Sequence, residues 1–336
     1  MKINTTPRII SWNTTFKCNL KCEHCYISAK SQKVKEELTT KEGFRLIDQI
    51  SGFSKPIFVL SGGEPLLRED IFELASYGTK KGLRVVMGTN GIRINNKIAK
   101  KLADSGIKRI AISLDSLNPK IHDTIRGVNE AYENTIKGIK VCKKNNLSFQ
   151  INTTVTRQNY SEIFKIIKFA EKLGADDFHL FFLVPTGRGE NVTDITPFQY
   201  EKLLIDLYNK KHEFKINVKP TCAPQFMRIA KMKAGNAKKY VRGCLAGITY
   251  CRINPIGEVN PCPYLPIYAG NVKEESFEKI WKESTVFQEL RNYDNLKGKC
   301  GICEYKDICG GCRARAYAIT KDYLEEEMWC VYKPRG

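Results

Sequence analysis

The stretch SWNTTFKCNLKCEHCY, Ser11 to Tyr26, sets three cysteines in a C-x3-C-x2-C spacing directly after the first apolar run of the chain. Three thiolates in one loop can bind three irons of a cubane cluster and leave the fourth iron for a small molecule, whereas a closed structural site takes four protein ligands. His24 lies between two of these cysteines in a tight loop and is not read as a fourth ligand. A zinc knuckle with a distant fourth ligand has the same spacing, and the spacing alone leaves it open.

Outward from this loop, short apolar runs alternate with helical patterns up to about residue 183. The runs are Ile57–Leu60, Arg84–Met87, Ile110–Leu114, Phe149–Asn152 and Phe178–Phe182. Between them Lys41–Ile50, Ile71–Lys80, Asn96–Ser105, Ala131–Lys143 and Glu162–Leu173 carry apolar residues at helical spacing. Strands alternating with helices imply an α/β fold with a parallel sheet and right-handed crossovers. About six such units are too few for a closed eight-stranded barrel, so a partial barrel, (β/α)6, is expected. After Pro185 the texture changes. Residues 197–240 read as helical and basic with a short strand near 214–218, and residues 241–336 are rich in Cys, Gly and Pro. A segment of that kind buries little apolar area by itself, so a bound metal centre is expected to organise it. The expected division is 1–190 for the core, 191–240 for a bridging region and 241–336 for a cysteine-rich domain.

Composition narrows the class. The chain has 336 residues, 42% of them apolar, so a core can form. No apolar run reaches the roughly 18 residues of a membrane span, and the N-terminus lacks the layout of a signal peptide. A cytoplasmic protein is expected, in which thirteen cysteines point to metal or cluster ligation before disulfides. The formal charge is +19, but the lysines fall in scattered pairs such as Lys80-Lys81, Lys143-Lys144 and Lys238-Lys239. Such pairs read as solvated helix faces, and no nucleic-acid partner is expected.

Three polar segments fall at the carboxyl ends of predicted strands, where open α/β sheets bind ligands. They are Ser61-Gly62-Gly63-Glu64-Pro65, Thr89-Asn90-Gly91 and Ser113-Leu114-Asp115-Ser116. Glycines let backbone approach a ligand closely, and a carboxylate there can accept from an ammonium. With the cysteine triad, these segments strongly resemble the radical S-adenosylmethionine (SAM) superfamily. The resemblance implies that Cys18, Cys22 and Cys25 ligate a [4Fe-4S] cluster. It implies that Gly62, Gly63 and Glu64 bind the methionine amino group, and that Ser113 and Asn90 face the ribose. Arg126 would contact the methionine carboxylate, with Asn152 and Thr154 as weaker candidates.

The distal cysteines run Cys244-x6-Cys251-x10-Cys262, then Cys300-x2-Cys303-x5-Cys309-x2-Cys312, then x17 to Cys330. Eight thiolates make two four-ligand sites, and zinc ribbons fit paired C-x2-C elements as well. Gly257-x4-Cys262 and the C-x2-C-x5-C series resemble the SPASM extension, which carries two auxiliary [4Fe-4S] clusters. The resemblance implies one cluster on Cys244, Cys251, Cys262 and Cys312, and another on Cys300, Cys303, Cys309 and Cys330. The spacing of two residues between Cys309 and Cys312 departs from the usual three, which leaves the assignment of those two open. Cys142 reads as core, and Cys222 either as an inert buried thiol or as a group near iron or substrate.

Four further segments, Phe181–Gly189, Lys219–Phe226, Arg242–Gly247 and Cys309–Tyr317, look like the enzymes of the siroheme-dependent haem pathway. The branch they resemble most converts two propionates of iron-coproporphyrin III to vinyl groups by oxidative decarboxylation. Arg188, Lys219, Arg228 and Arg242 are the candidate clamps for the substrate carboxylates, since cations, arginine above all, pair with carboxylates. A low-potential electron donor and an electron acceptor, neither identified by the sequence, would be needed. The rival readings are a sibling of the same pathway (a didecarboxysiroheme deacetylase or a haem d1 enzyme), a peptide-modifying SPASM maturase, and a non-catalytic iron–sulfur carrier or zinc scaffold.

Overall fold

A computed structural model describes residues 6–234 and 242–335. Lys238 and Lys239, and the expected boundary at residue 240, lie outside the described residues. Ten strands form one sheet: β1 (Ile9–Asn13), β2 (Ile57–Ser61), β3 (Arg84–Thr89), β4 (Ile110–Ser113), β5 (Phe149–Val155), β6 (Asp177–Phe182), β7 (Asn217–Thr221), β8 (Tyr250–Ile253), β9 (Glu258–Asn260) and β10 (Gly270–Asn271). Their order is β10-β9-β8-β1-β2-β3-β4-β5-β6-β7. From β8 through β1 to β7 all neighbours are parallel, while β9 and β10 add antiparallel. Strands that follow one another in sequence also lie side by side from β1 to β7, which is the winding of a barrel left open. The expected partial barrel is therefore extended by a parallel strand at each edge, β7 beyond β6 and β8 beside β1.

The helices are α1 (Thr40–Phe53), α2 (Ile71–Lys80), α3 (Asn96–Asp104), α4 (Pro119–Arg126), α5 (Ala131–Lys144), α6 (Ile163–Leu173), α7 (Pro197–Lys210), α8 (Gln225–Ala234), α9 (Phe277–Glu283), α10 (Thr285–Arg291), α11 (Gly298–Ile302) and α12 (Arg313–Thr320). Local chemistry sets several starts. Thr39 and Glu42 form a capping box at α1, and Thr196 and Gln199 form one at α7 behind Pro197. Leu46, Ile47 and Ile50 of α1 pack with Ile10, Trp12, Phe58 and Leu60 of the sheet in one continuous core. That core runs along the chain to Phe277 and Trp281 of α9, so the cysteine-rich region shares it.

Asp194, just ahead of α7, is held there with one carboxylate oxygen buried and without a hydrogen bond. Burial pushes its pKa up to about 7 from 3.8. The folded chain then holds a proton that the unfolded chain releases, so stability falls as pH rises from about 4 through 7. Asp194→Asn is expected to raise the melting temperature at pH 8, with the gain shrinking towards zero near pH 4; a gain independent of pH would count against this assignment.

Candidate active site and cysteine centres

Side chains alternate across a strand, so each strand divides its residues between two faces. On one face Ile10, Trp12, Phe58, Leu60, Val85, Met87, Ile112, Ile151 and Phe178 are fully buried beneath the helices. On the other, Ser61, Ser113, Gln150, Asn152, Thr154 and His179 are half-buried and polar. A parallel sheet covered on both sides is apolar on both. A polar inner face of this kind suits a ligand-binding cavity.

The loop carrying Cys18, Cys22 and Cys25 leaves β1 at the carboxyl end of the sheet and is gripped from three sides. Gly63 N–H donates to the Thr15 carbonyl (2.7 Å) and Glu64 N–H to that of Lys17 (2.8 Å). Lys21 N–H donates to Arg126 O (3.1 Å) and Glu23 N–H to Ile125 O (3.0 Å) at the end of α4. Arg188 donates its Nε to Cys22 O (2.9 Å) and Nη1 to Ala29 O (3.0 Å). A Cβ at Gly63 would stand 2.2 Å from the Lys17 carbonyl oxygen, a backbone atom that cannot swing aside. Gly63→Ala is therefore expected to part the two loops and to cost stability, read as a melting temperature below that of the parent.

The three thiols are close enough that Cys22 and Cys25 both disfavour ionisation of Cys18, and Cys25 that of Cys22. Burial pushes Cys18 up to about 12 and also raises Cys22, whereas Arg126 Nη1, 3.8 Å from Cys22 Sγ, pulls the latter down. His24 is turned towards Asp115 (3.9 Å), and burial lowers its pKa to about 4. Among the described residues no three His, Cys, Asp or Glu side chains converge as a single ion would require.

Glu64 is completely buried beside this loop. Its Oε1 accepts from Leu66 N–H (3.1 Å) and Thr89 Oγ1 (2.8 Å), and its Oε2 from Asn90 N–H (2.8 Å). A carboxylate has about four acceptor positions, so one is left for a ligand ammonium. Asn90 Nδ2 donates to Asn19 in the cysteine loop (2.9 Å), and Ser113 lies opposite Asn152 at the end of β4. Gly62, Gly63, Glu64, Asn90 and Ser113 thus share the rim formed by β2, β3 and β4. Arg126 is placed differently from a free carboxylate clamp: it is buried and paired with Asp115 at 2.5 Å. Burial opposes the charge on Asp115, but the guanidinium outweighs it and holds the carboxyl below its usual range. The role of Asp115 was missed in the sequence, although a carboxylate closing a buried strand calls for a cation.

The distal cysteines separate into two groups. Cys300, Cys303, Cys309 and Cys330 line one cavity together with Arg228 and Gly311. Cys312 instead packs with Cys262, Cys244 and Cys222 around Leu265 and Ala314. Two consecutive glycines in left-handed conformation, Gly310 (φ 71°) and Gly311 (φ 60°), reverse the chain between Cys309 and Cys312. The short spacing therefore still sends the two thiols to different groups. Cys251 is not brought to either: it is fully buried in the main core. Cys142 is a core thiol of α5. Tyr26, next to Cys25, lies ring to ring with Tyr264 at 5.1 Å, which bridges the first loop to the Cys262 group.

Three of the four candidate carboxylate clamps are already engaged. Arg188 holds the cysteine loop, Arg228 pairs with Glu201 (2.6 Å), and Arg242 donates to the carbonyls of Lys306 (2.9 Å) and Asp307 (3.0 Å) while stacking on Tyr293. Lys219 is exposed and stands in register with His179 of the polar inner face.

A three-thiol loop facing a buried carboxylate and a polar sheet face belongs to a known class. Residues 12–195 match the Radical SAM superfamily and residues 244–313 the SPASM iron-sulfur cluster-binding domain; the chain belongs to the radical SAM superfamily and is a SAM-dependent iron–sulfur enzyme. It is 46% identical to the AdoMet-dependent heme synthase of Methanosarcina barkeri, across 99% of this chain and 98% of that one. It is 40% identical to the AdoMet-dependent heme synthase of Nitratidesulfovibrio vulgaris, across 98% and 94%. Among solved structures, that of Streptococcus suis SuiB bound to S-adenosylmethionine superposes with a TM-score of 0.78 over 98% of this chain and 78% of that chain at 20% identity, a likeness of fold. The family uses [4Fe-4S] clusters and SAM. The residues fit these groups: three clustered thiols, a rim carboxylate with an acceptor position to spare, and two further thiol groups. Among the described residues no helix is long and apolar enough to cross a membrane.

Proposed function

We propose that this enzyme oxidatively decarboxylates two propionates of iron-coproporphyrin III to vinyl groups, giving haem b. The observation that carries the reading is the near full-length similarity to AdoMet-dependent haem synthases. It joins a three-thiol loop that opens on a polar face wide enough to be lined by several strands. Cys18, Cys22 and Cys25 would hold the SAM-binding cluster, which when bound and reduced would supply the electron that cleaves SAM to methionine and a 5′-deoxyadenosyl radical. Gly62, Gly63 and Glu64 take the methionine ammonium, and Asn90 and Ser113 the ribose side. Arg126 neutralises Cys22 and Asp115 and so fixes the loop.

Each propionate whose carboxylate leaves as CO2 must also lose one hydrogen atom and one electron to become a vinyl group. The electron needs an acceptor near the substrate, and burial tunes such a centre. Cys300, Cys303, Cys309 and Cys330 hold one auxiliary cluster, and Cys244, Cys262 and Cys312 contribute to the other. Lys219, on the inner face, is the clamp left to meet a spare carboxylate. Arg188, Arg228 and Arg242 act on the protein itself.

The test is an anaerobic incubation of reduced, reconstituted enzyme with SAM and iron-coproporphyrin III. Loss of two formic-acid equivalents from the porphyrin, with 5′-deoxyadenosine formed, is the expected result. 5′-Deoxyadenosine with an unchanged porphyrin would reject this substrate, and zinc without sulfide would reject the cluster chemistry.

A further inference from the structure

The C-terminal group built on Cys244, Cys262 and Cys312 needs a fourth thiolate if it is to be a closed four-ligand centre. Cys251 is the nearest in sequence, yet its position in β8 excludes it. In the parallel pairing of β8 with β1, Cys251 lies beside Ile10 and Ile253 beside Trp12. Ile10 and Trp12 point into the core under the helices, and Cys251 is fully buried in that same core. The charge felt by its thiol is that of Arg291 in α10. Its neighbours Tyr250 and Arg252 take the other face: Tyr250 Oη bonds Ser11 Oγ at 3.0 Å, and Arg252 bonds Asn13. Moving Cys251 to the inner face would require a one-residue slip of β8, which would turn Tyr250 and Arg252 into the core.

Cys222 occupies the place that Cys251 does not. It follows β7 and packs against the cluster of Cys262, Cys312, Leu265 and Ala314, alongside Cys244 and Tyr264. Its backbone is left-handed (φ 58°), a conformation rare for a non-glycine residue. Such a conformation persists where the surroundings over-determine it. Here Arg315 Nη2 donates to the Cys222 carbonyl (3.2 Å) and to the Leu183 carbonyl (3.0 Å), tying this turn to the end of β6. The turn is thereby held with its thiol towards the three others.

We propose that Cys222 is the fourth thiolate ligand of the iron–sulfur centre formed by Cys244, Cys262 and Cys312, and that Cys251 is a core residue. The proposal rests on the cluster reading of the distal cysteines given above. It is tested on anaerobically reconstituted full-length enzyme by iron and sulfide analysis and by EPR of the reduced protein. Parent, Cys251→Ala, Cys244→Ala, Cys222→Ala and Cys222→Ser are compared. Cys251→Ala is expected to match the parent, with about twelve irons per chain for three cubane clusters. Cys222→Ala is expected to reproduce the change seen in Cys244→Ala, a loss of up to about four irons or a shift of the same auxiliary signal. Cys222→Ser keeps the side-chain size and replaces sulfur by oxygen, so a shifted signal there separates ligation from packing. Cys222 variants that are indistinguishable from the parent, or loss of iron in Cys251→Ala, would overturn the proposal. A parent that itself carries no auxiliary signal and only about four irons would instead overturn the cluster reading on which it rests.

Discussion

Replacing Cys18, Cys22 or Cys25 singly by alanine is expected to reduce 5′-deoxyadenosine formation to background and to remove about four irons per chain. The three thiols come from a single loop held by Gly63, Glu64, the end of α4 and Arg188, which fixes where they stand. Loss of Cys22 also leaves Arg126 with less negative charge to oppose, since Cys22 and Asp115 share it. Cys142→Ala serves as the comparison: that thiol is buried in α5 within the main core, and its loss is expected to cost stability and leave the iron content unchanged. Iron analysis and quantification of 5′-deoxyadenosine in the absence of any porphyrin check the expectation without reference to the substrate. Retention of cleavage in any of the three variants would remove that cysteine from the SAM-binding centre.

The second large effect concerns Arg315, which the sequence did not mark. Its side chain is completely buried. It pairs with the equally buried Glu327 (3.2 Å), donates to the carbonyls of Leu183 and Cys222, and lies against Trp329 and Tyr200. Glu327 in turn accepts from Cys312 N–H (3.0 Å), so one ion pair joins β6, the Cys222 turn and the start of α12. Removing one partner of a buried pair leaves the other charge without compensation, at a cost of about 3–5 kcal/mol. Arg315→Ala is expected to lower the melting temperature by several degrees and to weaken the Cys244–Cys262–Cys312 centre along with it. Arg315→Lys should recover only part, because a single ammonium cannot reproduce a planar fork that serves three acceptors. Arg315→Met combined with Glu327→Gln removes both charges and should be less destabilised than Arg315→Ala, as buried pairs replaced together usually are. Equal melting of Arg315→Ala and the parent would show that the pair contributes nothing.

The two results bear on different kinds of information. The triad was legible because its ligands lie within eight residues, and because βα alternation marks strand ends where Gly62–Glu64, Asn90 and Ser113 then fall together. Apolar periodicity located five of the parallel strands and their helices to within a few residues, since each is an amphipathic element with one buried face. The strand near 214–218 was also legible, three residues early, though not that it joins the sheet beside β6. The four candidate clamps show the limit. A lone arginine has the same appearance in sequence whether it meets a substrate or a carbonyl, and Arg188, Arg228 and Arg242 found protein partners 27 to 166 residues away.

By itself the sequence determined the class of chemistry and the frame that carries it, because both rest on local spacing: C-x3-C-x2-C after a strand, glycine and carboxylate after the next, and alternation at periods of 2 and 3.6. Only the tertiary structure decided how the remaining cysteines divide. Two left-handed glycines part Cys309 from Cys312, and the pairing of β8 with β1 turns Cys251 into the core. A turn held by Arg315 brings Cys222 to Cys262 across forty residues of chain. These are matters of strand parity and long-range closure, and a linear spacing carries neither.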